Sequence, residues 1–428
     1  MPLLQHRAIA AAAVPLFLSM VVNQVTGLVG TAVLGRRATA ALAAYAVTAA
    51  VLNPAFTAIT GALRGMAPFV APHREHPPGA VPVLRDARWL SLVVAALAAA
   101  AVACVPLVAS LGGAPPEVLA ELGIFPYLLV VYVLLYGLGG GANAALIALG
   151  HSRQVIWASL SSAAVSIVLV VVLVPRIGLT GMGCSMIAAG ATALAVSNLR
   201  LRRLLGSGVG RGRPRPAEIM KLARVGIPLS GTLLIKFAVL GVVTYAAVRT
   251  GTREVAAHAV LYAMMGPLMF VSLSVAQASV PEVARARGKR EVRGVTGTAL
   301  GLAVTGLAAG GALLVAFRGP LVGLFTTDPG VMTTVVALIW LVAVMAAVDG
   351  AQAVLGFGLA GLKRSSWSLG CVAAGYGTLA SAAVPVAATW GLAGLWWALI
   401  ANSALLIVLQ GGGFLRHSAR TDTATVPS

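Results

Sequence analysis

The chain has 428 residues, of which 59% are hydrophobic and only 10% charged, with a mean hydropathy of +0.95 and a net charge of +19. A soluble domain of this size carries about a quarter charged residues, so an ordinary water-soluble fold is excluded. Several uninterrupted apolar stretches reach the ~20 residues a membrane helix needs, and the chain reads as a polytopic integral membrane protein.

In chain order, apolar runs between polar, Gly or Pro breaks predict twelve helices. They fall at roughly 8–34, 39–71, 89–111, 117–149, 153–174, 178–199, 222–248, 253–284, 294–317, 330–361, 366–388 and 391–415. The first run begins like a signal peptide but continues to Leu34, too far for one, and reads as a spanning helix. An even number of spans puts both termini on one side. Cys104, Cys184 and Cys371 all lie in apolar runs without metal or disulfide spacing, and read as small buried packing residues.

The basic charge follows this topology. With a cytoplasmic N-terminus, 22 of the 30 Lys and Arg residues fall on the cytoplasmic side and six on the other. That asymmetry obeys the positive-inside rule, with both termini cytoplasmic in the plasma (inner) membrane. It accounts for the charge without nucleic acid, for which no recognition module is present. The remaining two cations, Arg64 and Lys236, sit inside predicted spans.

The sequence repeats itself. Residues 13–47 (AVPLFLSMVVNQVTGLVGTAVLGRRATAALAAYAV) align without gaps to 226–260 (GIPLSGTLLIKFAVLGVVTYAAVRTGTREVAAHAV) at an offset of 213. Pro15, Pro54 and Pro68 meet Pro228, Pro267 and Pro281, and Gly-Leu-Thr-Gly at 178–181 meets Gly-Leu-Ala-Gly at 391–394. Each half holds six helices, so the halves share one orientation, as in transporters built from parallel repeats around a midplane site. The expected organisation is therefore an N-terminal lobe 1–199, a solvated basic linker 200–221, a C-terminal lobe 222–415 and a cytoplasmic tail 416–428. Pro15, Pro228, Pro54 and Pro267, inside the first and second helices of each half, read as structural bends or as gating hinges.

The repeat and its motifs resemble the multidrug and toxin extrusion (MATE) family over nearly the whole chain. LAAYAV and VAAHAV are similar to that family's starts of helices two and eight. The stretch from GLFTTDPG to LGFGLAGLKRS, with its Asp-x-x-Gln, is similar to its helix-ten region. The resemblance implies an all-α fold of twelve transmembrane helices in two six-helix lobes. It also implies secondary export of organic compounds, driven by inward sodium or proton flow. Two acidic positions of the coupled branches are replaced here, one by Gly30 before Thr31 and one by Lys236. Only the helix-ten acid remains, as Asp349.

Asp349 lies about 14 residues, or ~20 Å, from Lys363, beyond reach of the interface. Burying a carboxylate there costs on the order of 3 kcal/mol, which makes it a functional candidate or half of a buried ion pair. Lys236, near the middle of its helix, needs a partner or water, and the family resemblance points to Asp349. Such a pair would respond to a proton or to substrate rather than hold sodium, or else act as a static bridge between helices. Arg64 stands in the last third of helix two, placed either to snorkel or to meet an anion. His258 reads as a packing and hydrogen-bonding residue or a proton sensor. Asn23, Gln24, Tyr45, Asn143, Tyr262 and Gln352 are polar groups within spans that bond neighbouring helices or line a cavity. Met264, Met265 and Met269 suit core packing or an adaptable cavity wall.

No catalytic triad, GxxxxGK loop or HExxH is present, and GLGGG (137–141) sits inside a span. The expectation is a monomeric antiporter without cofactor or metal, not an enzyme. It would move small amphipathic compounds outward through the bilayer in exchange for an ion, H+ rather than Na+. The alternatives are a flippase for lipid-linked precursors and a non-transporting scaffold.

Overall fold

The computed structural model describes residues 2–206, 209–210 and 212–420, with side chains from His6 onward. Every regular element among them is helical. The spanning helices are α1 (Pro2–Arg37), α2 (Thr39–Arg64), α3 (Val81–Ala103) and α4 (Phe125–Gly139), then α5 (153–176) and α6 (179–205). They continue with α7 (Pro216–Val248), α8 (Thr252–Arg285), α9 (Gly288–Ala316) and α10 (Pro329–Gly361), then α11 (365–390) and α12 (392–419). The twelve expected helices are all present. Most of the tail 416–428, and Arg211 of the linker, lie outside the described residues.

The boundaries move for physical reasons. The run predicted at 39–71 is not one smooth helix. α2 stops at Arg64, and a short helix Ala67–Val70 follows with Pro68 in its first turn, where a missing N–H is harmless. The run at 117–149 divides into Pro116–Leu122, α4 and Gly141–Ala148. Gly123, at φ +44, makes the first break, and Gly139–Gly141 makes the second. Cys104 corrects an expectation: it sits at the break after α3 and is exposed, whereas Cys371 is buried.

Two further breaks are related by the repeat. α5 and α6 meet at Gly178 (φ +57, ψ −134), and α11 and α12 meet at Gly391 (φ +59, ψ −152). Only glycine adopts that conformation cheaply, so the two Gly-Leu-x-Gly motifs are turns within otherwise continuous helices. At the first turn the freed carbonyls are capped. Arg37 Nη1 donates to Val174 O at 2.7 Å and to Pro175 O at 2.6 Å.

The described residues fall into two compact units. One is Leu18–Ser230; the other joins the residues up to Phe17 to those from Gly231 onward. The divisions in α1 and α7 are again 213 residues apart, so the first half of each of these helices groups with the opposite half of the sequence. Each unit has its own apolar core. Leu34, Ile59, Val102, Leu129 and Val174 are at the centre of the first, and Val243, Leu261, Leu307, Val335 and Trp396 at the centre of the second.

The segment read as a solvated linker, exposed at Gly210 and at 213–215, also bonds to α3. Asp86, 2% exposed, accepts from Arg215 Nε at 3.3 Å and pairs with Arg215 Nη2. Arg88 Nη1 donates to Val209 O at 3.2 Å, and Trp89 Nε1 to Gly212 O at 3.1 Å. The cause is an acid at the start of an apolar helix, which has no cheaper way to be covered. Arg215 is half exposed, so the pair is partly screened. Asp86→Ala is expected to lower stability by about 1 kcal/mol. Thermal midpoints of the two proteins in detergent read the difference, and equal midpoints would disprove the fastening.

Candidate functional site

The second unit carries the feature that sequence pattern singles out. Lys236 on α7 and Asp349 on α10 each lie about 12 residues, or ~18 Å, from the nearer end of their helix. Lys236 Nζ donates to Asp349 Oδ1 at 2.7 Å and to Oδ2 at 2.8 Å, so the ammonium holds both carboxylate oxygens. The side chains are 16% and 4% exposed. Neither reaches water at a helix end, and each neutralises the other. Ser403 on α12 donates to Asp349 Oδ1 at a long 3.5 Å. The phenols of Tyr262 and Tyr376 complete the electrostatic surroundings of Lys236. The Tyr376 hydroxyl, on a fully buried ring, lies close to the Lys236 ammonium.

One turn beyond Asp349 on α10, Gln352 Nε2 donates to Gln410 Oε1 at 2.9 Å, and Gln410 Nε2 to Ser368 Oγ at 3.0 Å. This chain ties α10, α11 and α12 together. His258 on α8 lies 3.5 Å from Thr244 Oγ1 through Nε2, with Trp396 edge-on at 5.9 Å and Tyr262 at 6.3 Å. Its Nδ1 is buried without a partner among the described residues, as are both side-chain polar atoms of Asn402. Met264 and Met265 are buried in the apolar core of this unit, and Met269 packs against it.

The other expected residues lie in the first unit. Asn23 and Gln24 are exposed on α1. Tyr45 is half-buried on α2, its ring 6.2 Å from Phe125. Arg64 is half-buried at the end of α2 beside Tyr136. Asn143 carries a buried carbonyl oxygen without a partner among the described residues. Thus Lys236, Asp349, Tyr262, His258 and Gln352 gather in one unit, while Asn23, Gln24, Tyr45, Arg64 and Asn143 belong to the other. Ser403, Tyr376, Gln410 and Ser368 were not singled out by sequence. The signal for Ser403 and Gln410 was available, as polar residues in an apolar last helix. Tyr376 and Ser368 carried none.

α10 owes its start to Asp328, whose Oδ1 accepts from the N–H groups of Gly330 at 2.8 Å and Val331 at 2.9 Å. The N–H bonds from Val331 and Gly330 hold this carboxyl below its ordinary range. A folded-state depression stabilises above the unfolded carboxylate range and is lost as pH falls through the lower folded value. Asp328→Ala is therefore expected to lower the thermal midpoint at neutral pH, and the gap to wild type should close in strong acid. A gap that persists or widens in acid would count against the cap.

Twelve helices that keep an ion pair this far from their ends define a polytopic membrane protein. Residues 15–172 and 228–384 match the family model described as MatE, and the chain belongs to that family. Its members are transporters, not enzymes. The two matched segments start 213 residues apart, as the repeat does. Among curated relatives, the probable multidrug resistance protein NorM of Aromatoleum aromaticum is 27% identical over 373 residues, 82% of this chain and 79% of that protein. The protein of the same name from Chromobacterium violaceum is 24% identical over 93% of this chain and 91% of that one. The fold is similar to a MATE protein solved in complex with MaD5, with TM-score 0.86 and 17% identity over 98% of this chain and 96% of that one. It is also similar to the Vibrio cholerae MATE transporter VcmN in its bent form, with TM-score 0.85 and 14% identity over 99% of each chain.

Proposed function

We propose that this chain is a monomeric secondary exporter of the plasma membrane, with both termini cytoplasmic. It moves small amphipathic organic compounds outward in exchange for protons. The name of the relatives, probable multidrug resistance protein, supports the cargo. Asp349 and Lys236 are the coupling pair. Tyr45, Asn143, His258, Tyr262 and Gln352, with Asn23, Gln24 and Arg64, are the polar groups a cargo meets.

One observation supports the choice of ion: the Lys236 ammonium holds both oxygens of Asp349. A sodium ion at Asp349 would have to displace a tethered cation of the same charge. A proton arriving on Asp349 removes the attraction instead, and leaves Lys236 free to lose its own proton or turn away. The pair then has two states of different net charge, which is what an antiporter needs.

The test is transport of a fluorescent drug in vesicles holding the full chain, with a proton or a sodium gradient imposed singly. Drug movement driven by the proton gradient and lost in Asp349→Asn is the expected result. Movement driven by sodium alone overturns the choice of ion. The second reading, a flippase for lipid-linked precursors, draws on the cations Arg64 and Lys236. It would be selected by translocation of a labelled lipid phosphate in vesicles that move no drug.

A further inference from the structure

Two cations stand within the spans, and their situations differ. Lys236 has its carboxylate. Arg64 makes no ion pair or hydrogen bond with any described residue. None of its nitrogens is sealed off by protein either, although the residue is half-buried. A guanidinium carries five donors and stays charged, so these donors face water or an anion.

Arg64 closes α2, and the chain breaks at Gly65 and Met66 before the short helix Ala67–Val70. Its electrostatic neighbour is the phenol of Tyr136 on α4, in the last turn of that helix before Gly139.

Aromatic rings lead away from it. Phe56 lies 5.0 Å from Tyr136, edge-on, and 4.9 Å from Tyr132. Tyr132 neighbours Tyr45. The spacing 45, 56 keeps one face of α2, and 132, 136 keeps one face of α4. All four rings are half-buried, so each offers a surface not covered by protein. A cation at one end of a row of partly open aromatic faces matches a molecule with an anionic head and a flat apolar body.

We infer that Arg64, with Tyr136, Phe56, Tyr132 and Tyr45, forms a binding site for aromatic organic anions, a carboxylate or sulfonate seated on the guanidinium. The site deepens the exporter reading by giving the class of cargo, and it rests on that reading only for transport, not for binding. All of its residues belong to one unit.

Two probes sharing a xanthene ring system separate head charge from ring shape: carboxyfluorescein, an anion, and rhodamine 6G, a cation. Binding of each to the full chain in lipid nanodiscs is read by fluorescence anisotropy, without any gradient. Carboxyfluorescein is expected to bind the wild type, to weaken by about tenfold or more in Arg64→Gln, and to keep most of its affinity in Arg64→Lys. Rhodamine 6G should bind Arg64→Gln at least as well as the wild type. Size-exclusion profiles matching wild type show that the variants are folded, and Arg64→Lys keeps the comparison valid if Arg64→Gln is not. No binding of carboxyfluorescein to the wild type, or equal binding to the wild type and a folded Arg64→Gln, overturns the site. Equal, undiminished binding to Arg64→Lys and to a folded Tyr136→Leu/Phe56→Ala double variant would overturn the part assigned to the aromatic row. Vesicles that bind carboxyfluorescein yet move neither dye under any gradient overturn the exporter reading and leave the site standing.

Discussion

Lys236→Met alone is expected to destabilise the protein by about 3–5 kcal/mol, whereas Lys236→Met with Asp349→Leu should return close to wild-type stability. The single change strands a carboxylate that is 4% exposed, and the chain must then strain to hydrate it or bind a proton. The double change removes both charges and fills the space with apolar atoms, which a low-dielectric interior accepts. Thermal midpoints in detergent give the stability half of the experiment. Transport in vesicles gives the other half, and the two need not agree. If the pair couples ion and cargo, the double variant is stable and inactive, and Asp349→Asn is inactive as well. If the pair is a static bridge between α7 and α10, the double variant is both stable and active, and the coupling role fails.

The second large effect concerns a helix crossing without charge. Gly65, just after α2, and Gly226, in the first half of α7, bring their backbones together inside the unit Leu18–Ser230. A Cβ on Gly226 would come within 2.9 Å of Ala62 Cα and 3.0 Å of its carbonyl carbon. These are backbone atoms, which cannot swing aside as a flexible side chain can. Close by, Ser230 Oγ donates to Ala58 O at 2.8 Å, a bond available only while the helices stay this near. In lipid the contact between helices rests on such close packing, because the surrounding tails are as apolar as the side chains. Gly226→Val is expected to cost about 2–3 kcal/mol and to lower the thermal midpoint clearly. By contrast Gly241→Ala, with nothing within 4 Å of its new Cβ, should be neutral or slightly stabilising. Equal midpoints for the two variants would refute the crossing.

Much of this was legible beforehand. Asp349 and Lys236 declared themselves as charges in apolar helices, and the resemblance to MATE proteins suggested that they meet. The turns at Gly178 and Gly391 were visible as repeated Gly-Leu-x-Gly motifs. The fastening of Val209, Gly212 and Arg215 to α3 was not visible, because nothing local links Asp86 to an arginine 129 residues later. The Gln352–Gln410–Ser368 chain was hidden for a similar reason. Polar residues in a membrane helix announce a need for partners but not which neighbour supplies them.

The sequence by itself determined the class, the twelve helices and the internal duplication. Those follow from run length, loop charge and residue order, which act locally and need no contact between distant segments. The tertiary structure decided which polar groups meet and which backbones touch. It set Lys236 on Asp349, 113 residues away, and left Arg64 without a carboxylate. Inside a bilayer, hydrophobicity does not distinguish a helix face that packs from one that meets lipid. Steric fit between helices makes that choice, and it exists only once the chain has folded.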